Sequence, residues 1–532
     1  MSTTTAPQAG GPARPAVPRP FAALLGVLAV ASALGAGHLV AGLVSPASSP
    51  YLAVGDTTVR LSPEWLVEFA KSTFGTADKP VLLAGMAVVL MLLAAAAGLA
   101  SRRRRTPGTA MITVLGVLGF LAVGSSPAFA ALDLLAPAVS LGVGTTVFRR
   151  LHALALGVDA EPDADLLRGR RSAVSRRNVL IGTSGAVGAG ALAAAGVGQV
   201  LSAVTTGSRD EVTQTIARAT LTERAPAIPP TAAFPELGTP TFLTANTEFY
   251  RIDTALRIPT LSAADWSLRI HGMVDNEMTL TFADLLARPL VERTVTLLCV
   301  SNEVGGDLVS TSNFIGVDLR EILLEAGIAP GADQVVSTSS DRLWNAGTPT
   351  DVLLEPDRGA LLAFGMNGEA LPPEHGFPVR MVVPGLYGYV SATKWVTDLE
   401  VTTFDATQTY WLQRGWARRA PIKTQSRIDV PRAFGGTRAG RVTIAGIAWS
   451  QPDGIGRVEV RVDGGPWQDA ELATEVSGDT WRMWRATVEL APGSHVAQVR
   501  ATDANGVTQT EAKADVIPDG ATGWPAIVFD AT

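Results

Sequence analysis

Long apolar runs fill roughly the first two hundred residues and then stop, so one chain must satisfy two different surroundings. Phe21 to Val44, Val81 to Ala100, Gly108 to Gly124, Ala128 to Phe148 and Val179 to Val204 are each long enough, or nearly so, to cross about 30 Å of hydrocarbon as helices. Ser125, Ser126 and Pro127 separate the third run from the fourth, and both are short and rich in Ala and Gly. They read either as two spans or as one span with a re-entrant piece.

Charge placement decides the count. Arg14 and Arg19 precede the first run, Arg102 to Arg105 follow the second, and Arg149, Arg150, Arg168, Arg170, Arg171, Arg176 and Arg177 lie between the fourth and fifth. All three clusters face the cytoplasm only with five crossings, which places Ser45 to Pro80 and everything after about Thr205 on the outer side. The expectation is a multi-pass cell-membrane protein with its larger part extracytoplasmic. SRRNVLIG, from Ser175 to Gly182, matches an internal twin-arginine export signal and equally further positive-inside charge. The runs hold His38, with His152 just beyond the fourth, so they lack the histidine pair that haem needs, and Asp133 is their one carboxylate, at an edge. Anchoring is favoured over electron or ion transport.

The net charge of -6 argues against nucleic-acid binding, which needs a clustered basic face. The outer part opens with APAIPPTAAFPELGTPTF, where repeated proline favours extended chain, and residues 206–240 read as a linker. TVTLLCV, FPVRMVVP and TKWVTDLEVTTF are short β-type runs bounded by Gly, Pro, Asn or Asp. VDLREILLEAG reads as a helix with Asp318 as N-cap, Glu321 completing a capping box and Gly327 as the stop. A mixed α+β domain over 241–425 follows.

From about Ile428 the pattern is all β. Val458, Val460 and Val462 alternate with charged residues before a turn at Asp463, Gly464 and Gly465. VTIAGIAW, WRATVEL and HVAQVRATD follow sandwich spacing, with Trp449, Trp467, Trp481 and Trp484 available for a core. Residues 426–532 fit an immunoglobulin-like β-sandwich.

Cys299 is the only cysteine, so no disulfide forms within the chain. It closes TVTLLCV just before the turn SNEVGGD. The other polar candidates of the middle domain are Asn246, Phe249, Tyr250 and Arg251 in TANTEFYRID, His375 and Arg380 in EHGFPVR, and Lys394 in SATKW. A cysteine hydrolase has His375 as base but no visible third partner. A zinc site needs more Cys, His or carboxylate ligands at short spacing. A soft-metal cofactor held by one thiolate, with Arg, Lys and His on an anionic organic part, suits the set best.

These motifs agree in order and spacing with one family. The cysteine-bearing strand end followed by VDLREIL, EHGFPVRMVVPG with its spacing to KW, and WRMWRATVEL after VEVRVDGGPW resemble the sulfite oxidase family. Thr241 to Gln425 is similar to its molybdopterin-binding domain and the sandwich to its C-terminal dimerisation domain. The implied fold is N-terminal transmembrane helices over 1–205, an α+β molybdopterin domain and the sandwich. The resemblance implies a molybdenum-molybdopterin cofactor, with Cys299 as the metal's sulfur ligand. Asn246, Phe249 and Tyr250 match a pterin-contacting segment, His375 and Arg380 the pair at its polar and phosphate end, and Thr393 and Lys394 a further contact. Ser339 or Ser340 adds a hydroxyl.

Sulfite-oxidising members place an arginine shortly after the cysteine, where this chain has CVSNEVGGD with Glu303 and Asp307. They carry a tyrosine near the metal in a stretch resembling YWLQRGW, where this chain puts Trp416. Arg251, taken as catalytic, and Arg414, Arg418 and Arg419 are the residues that would restore positive charge. The expected activity is oxygen-atom or two-electron chemistry on a small substrate, with an external cytochrome or quinone-linked carrier and a homodimer through the sandwich. A sulfoxide-type reductase and a catalytically silent, membrane-tethered binding protein are the alternatives.

Overall fold

The computed structural model describes residues 16–532 except 46–47, 64–65, 67–68, 71–72, 75–76, 127–128, 157–206, 254 and 257. The chain divides into two units, Met1–Ser202 and Ala203–Thr532. In the first, α1 (Arg19–Val44), α2 (Pro50–Leu61), α3 (Asp78–Ala100), α4 (Thr106–Gly124) and α5 (Leu135–Leu156) follow one another. Among the described residues four helices, α1, α3, α4 and the run Ala131–Leu156, are long and apolar enough to cross a membrane. The fifth expected span, Val179 to Val204, and the SRRNVLIG motif lie outside the described residues. The third and fourth runs are separate helices. Part of the expected outer loop is helical, as α2. Glycines let α1 and α3 cross at backbone contact: a Cβ on Gly26 would collide with the Ala94 carbonyl, and one on Gly98 with that of Ala22.

The second unit begins earlier than the proline pattern predicts. Residues 207–218 are helical, and Val212 and Ile216, four apart, enter the core. Arg209 donates to the carbonyls of Leu371 (2.9 Å) and Ala370 (3.1 Å), fastening the helix to the domain. The expected linker over 206–240 is therefore corrected in its first part, because the prolines begin only at Pro226 and the preceding residues carry a helical apolar stripe.

Two sheets build the α+β part. The first has β1 (Leu221–Glu223), β4 (Leu290–Leu298), β5 (Val309–Asp318), β8 (Leu361–Met366) and β10 (Arg380–Val382) in that order, with β9 (Glu369–Ala370) on β8. The second orders β3 (Met278–Thr281), β2 (Ser267–Gly272), β11 (Val396–Thr402), β6 (Gln334–Ser339) and β7 (Asn345–Pro349). Strands β4, β5 and β8 are buried on both faces; β8 is a continuous apolar run, whereas β4 and β5 also bury Thr and Ser, with Thr294 donating to Asn313 (2.6 Å) and Thr296 bonded to Thr311 (2.5 Å) across the ladder. The helix Leu319–Ala326 starts as expected: Asp318 accepts from the amides of Arg320 (2.8 Å) and Glu321 (3.3 Å), a cap worth about 1 kcal/mol. Glu321 pairs with Arg320 rather than reaching back to the cap.

Two further sheets face each other across a common core of Val442, Ile444, Val458, Val460, Trp484, Val499 and Phe529. One comprises β12 (Gln425–Val430), β14 (Gly440–Trp449), β18 (Arg482–Leu490) and β17 (Glu471–Leu472). The other has β13 (Gly436–Thr437), β20 (Ala526–Ala531), β19 (Gly493–Asp503), β15 (Ile455–Val462) and β16 (Gln468–Asp469). Trp449 and Trp481 leave that core and pack with the α+β part, so the two layers share apolar surface.

Candidate active site

Cys299 sits one residue past β4, where the chain reverses into antiparallel β5. Its amide donates to the Leu308 carbonyl (3.1 Å), and its own carbonyl accepts from the Asn302 amide (3.1 Å). Asn302 Oδ1 accepts from the Leu308 amide (2.8 Å), tying both ends of the turn together. Gly306 is needed there, because a Cβ would lie 2.6 Å from Asn302 Oδ1. Gly388 packs against the strand end from outside, where a Cβ would lie 3.4 Å from the Leu298 carbonyl and 3.7 Å from the Tyr250 hydroxyl. The tyrosine that the sequence singled out thus reaches the cysteine's strand.

A second turn gathers the cations. Gly376 has φ 112°, and a Cβ there would lie 3.0 Å from Arg380 Cβ and 3.2 Å from Lys394 Cβ. Only glycine permits so close a crossing. His375, Arg380 and Lys394 come together around it, all buried. Arg380 donates to the carbonyls of His375 (3.1 Å), Met381 (3.4 Å) and Ala392 (3.4 Å), and its guanidinium lies 5.7 Å from the Phe314 ring centre. Lys394 Nζ is 3.3 Å from Asp253 Oδ2, which also accepts from Arg251 Nε at 2.9 Å.

Burial dominates the electrostatics of the cradle, and its clustered cations add to it. Burial, reinforced by Lys394 and Arg380, pushes His375 down to about 3, so it is neutral at ordinary pH. Burial pushes Lys394 down to about 8 against the pull of Asp253, and Arg380 down to about 10. Burial drives the Tyr250 phenol well up; Cys299 adds to this and Arg380 opposes it.

The other expected residues make these contacts within the protein. The Asn246 side chain donates to Glu369 (2.6 Å) and accepts from Asn367 (2.9 Å), and its carbonyl accepts from His375 Nε2 (3.0 Å). Phe249 lies edge-on to His375 (5.3 Å) and stacks on Tyr250 (5.4 Å). Thr393 bonds Ser337 (2.6 Å), and Ser339 bonds Asp341 and the Trp344 carbonyl. Arg414 stacks on Tyr410, Arg418 pairs with Asp405 and Arg419 with Asp351, so these three are engaged away from the cradle. Trp416 is buried against Tyr389 and Trp411.

Sequence reasoning missed Asp253 and Asp341. Asp253 stands two residues after Arg251 in the highlighted segment, but Lys394 is far away in the chain. Burial raises the Asp341 carboxyl despite its bond from Ser339, with Asp253 adding to the rise.

The residues present fit a bound molybdopterin. Among the described residues, His375 Nδ1, Ser340 Oγ, Trp344 Nε1 and Asp341 Oδ2 are buried without a hydrogen-bond partner, and the Arg380 donors reach only carbonyls. Such groups are costly unless something polar meets them. An anionic, hydrogen-bond-rich group beside one sulfur ligand satisfies them together.

Comparison with known proteins agrees. Residues 255–411 match the family described as oxidoreductase molybdopterin binding domain. The mitochondrial sulfite oxidase of Macaca fascicularis is 31% identical over 307 residues, covering 49% of this chain and 55% of that protein. The sulfite oxidase of Gallus gallus is 29% identical over 324 residues, 52% of this chain and 70% of that protein. The chain spans about half the length of the mammalian relatives it matches. The solved sulfane dehydrogenase SoxCD from Paracoccus pantotrophus aligns with 57% of this chain and 88% of its own at 23% identity and a TM-score of 0.49, too loose a likeness to add to the assignment. Over its molybdopterin-binding domain the chain is thus similar to the sulfite oxidases, which are molybdopterin-dependent oxidoreductases.

Proposed function

We propose that the outer unit is a molybdenum-molybdopterin oxidoreductase acting on a small, sulfur-containing substrate by oxygen-atom or two-electron transfer. The observation that carries this is a buried cluster of His375, Arg380 and Lys394, in the same domain as Cys299, in which Arg380 meets only carbonyls and a single carboxylate, Asp253, serves both Lys394 and Arg251. Cys299 would supply the sulfur ligand, Arg380 and Lys394 the anion contacts, and His375 and Ser340 hydrogen bonds to the organic part. The cofactor, when bound, supplies the redox-active metal and its exchangeable oxygen. Tyr250 holds its phenolic proton, because burial above all opposes ionisation, so its hydroxyl stays neutral and is able to donate a hydrogen bond. Tyr389, Val390 and Ser391 are buried in the short helix Gly388–Ser391, whose first residue lies against the Leu298 carbonyl.

Electrons then leave singly to an external carrier, a cytochrome or quinone-linked protein. The four long apolar helices and the placement of the arginines support a multi-pass anchor with the catalytic unit outside the cytoplasm. The paired sheets at the C-terminus are read as an immunoglobulin-like domain through which two copies pair. A reductive direction, as in a sulfoxide reductase, is favoured by the acids Glu303 and Asp307 after the cysteine and by the engagement of Arg414, Arg418 and Arg419 elsewhere, which leave a substrate anion little to bind.

The test is elemental analysis for molybdenum with extraction of the pterin, on protein made in a host that synthesises the cofactor. About one metal per chain is expected, and its absence sinks the proposal in favour of a silent binding protein. Cys299→Ser, nearly isosteric, is expected to keep the fold and lose turnover. Sulfite-dependent reduction of an artificial acceptor, compared with reductant-dependent consumption of a sulfoxide, reads the direction.

A further inference from the structure

The strand that carries Cys299 has a neighbour on one side only. β5 pairs along its whole length, but β1 pairs only at Leu290 and Val291. Beyond them the outer edge of β4 would present unpaired backbone groups, a liability that folds cover or pair. The C-terminal domain covers it. The Thr296 amide donates to the Asp479 carbonyl (2.9 Å), and Gln451 Nε2 bridges the carbonyls of Thr296 (2.7 Å) and Asp479 (2.6 Å). The Trp481 amide donates to Thr296 Oγ1 at 2.8 Å. Three residues before the cysteine, β4 is therefore held by sandwich loops rather than by a strand.

The turn beyond the cysteine is held from the same domain. Arg427, on β12, donates through a terminal guanidinium nitrogen to the Gly306 carbonyl (3.1 Å) and through Nε to Asp429 Oδ1 (2.8 Å). Its side chain is only 12% exposed. Val304 and Gly305 lie against Gly523 and Pro525 of the C-terminal segment. A guanidinium fixed by a carboxylate on one side has little freedom left on the other, so its hydrogen bond to the turn is preorganised.

We propose that Arg427 is a positioning residue: by holding the Gly306 carbonyl it keeps the turn 299–308 closed and thereby sets where the Cys299 sulfur points and how readily it is reached. The C-terminal domain then completes the metal-ligand strand within its own chain, whatever its part in pairing copies. The consequence for catalysis rests on the reading of Cys299 as the metal's ligand; the positioning itself does not.

Because the chain has one cysteine, thiol labelling reports on this turn alone. The experiment uses the full chain made without cofactor, and follows alkylation by iodoacetamide together with amide hydrogen exchange. Wild-type protein is expected to label slowly. Arg427→Met is expected to label on the order of tenfold faster, the scale of one lost charge-assisted hydrogen bond, with faster exchange confined to residues 300–308. Arg427→Lys, which reaches the carbonyl without the fork that Asp429 aims, is expected to recover part of the protection. Asp429→Asn keeps the guanidinium and loosens its aim, so it carries the test with an intermediate rate if Arg427→Met does not fold. Wild-type labelling and exchange in these variants would overturn the proposal. So would faster exchange spread evenly over β14, β18 and β19, which marks general loosening. Absence of molybdenum from cofactor-competent preparations would sink the proposed function and leave these rates unaffected.

Discussion

Two buried charges in the outer unit are treated in opposite ways. Glu459, on β15, is 4% exposed, and its carboxylate is met by Arg500 (2.8 Å) and Arg457 (3.0 Å). Arg380, in the cradle, is 3% exposed, meets only carbonyls, and has Lys394 beside it. Removing an ion from water costs several kcal/mol unless a partner offsets it. The sandwich supplies that partner from its own strands, so its charges belong to folding. At Arg380 the cradle withholds it, since its carboxylate, Asp253, pairs with Lys394 and Arg251 instead, so the Arg380 charge belongs to a ligand. The lesson is where to look for function: at the buried cation whose counter-charge the chain omits.

The largest effect should come from Arg380→Met. Cofactor retention is expected to fall on the order of a hundredfold, as for two lost charge-assisted hydrogen bonds. The cofactor-free protein should melt no lower than wild type, because an uncompensated buried charge has been replaced by an apolar chain of similar length. Molybdenum content and thermal melts of both forms check this. A clearly lower melting temperature of the cofactor-free variant would break the comparison, because Arg380 would then stabilise the fold as Glu459 and its partners do.

Acid should separate the two regions next. His375 is held down to about 3, against about 6.5 in an unfolded chain. Between those values the unfolded chain binds a proton that the folded chain refuses, so stability falls as pH drops through the window and is unaffected by this group above it. The full extent is on the order of 5 kcal/mol. Denaturant melts of the cofactor-free protein at stepped pH should show the fall, and His375→Gln should flatten it. With cofactor loaded the slope should be shallower, because an anion offsets Lys394 and Arg380. An equal slope in both forms would mean that no anion sits there.

Arg500→Met is the mirror test and a smaller one. Glu459 keeps Arg457, which is half-exposed, so the expected loss is about 1–3 kcal/mol of stability with molybdenum content unchanged. Loss of cofactor at constant stability would erase the distinction between the regions.

How much of this the sequence shows depends on how local each signal is. The alternation of Val458, Val460 and Val462, the Asp318 cap and the apolar helix runs are patterns within a few residues, and they are legible. The helix over 207–218 was legible too, in the spacing of Val212 and Ile216, but the prolines from Pro226 onward dominate the segment. The site is harder. His375, Arg380 and Lys394 stand close enough along the chain to be grouped, and Gly376 explains their meeting. Asp253 could not be paired with Lys394 from sequence, because the contact spans 141 positions. Nor could the sandwich's hold on β4, which depends on β1 ending after Glu223.

Arg251 gives the smallest and most discriminating effect. The sequence reading makes it catalytic; the structure engages it with Asp253, a carboxylate that Lys394 also holds, and leaves its side chain 34% exposed. With Arg251 one-third exposed and Asp253 still held by Lys394, the pair contributes roughly 1 kcal/mol. Removing Arg251 leaves Asp253 neutralising Lys394 alone, which lowers the cradle's positive charge without touching the sulfur side. Arg251→Gln should therefore weaken cofactor retention about three- to fivefold, in keeping with that energy. In the loaded fraction, kcat should stay within about twofold of wild type, because no interaction made only in the transition state has been removed. A collapse of kcat at full metal content would return Arg251 to the reacting atoms, and would show that the cradle and the substrate pocket share a cation.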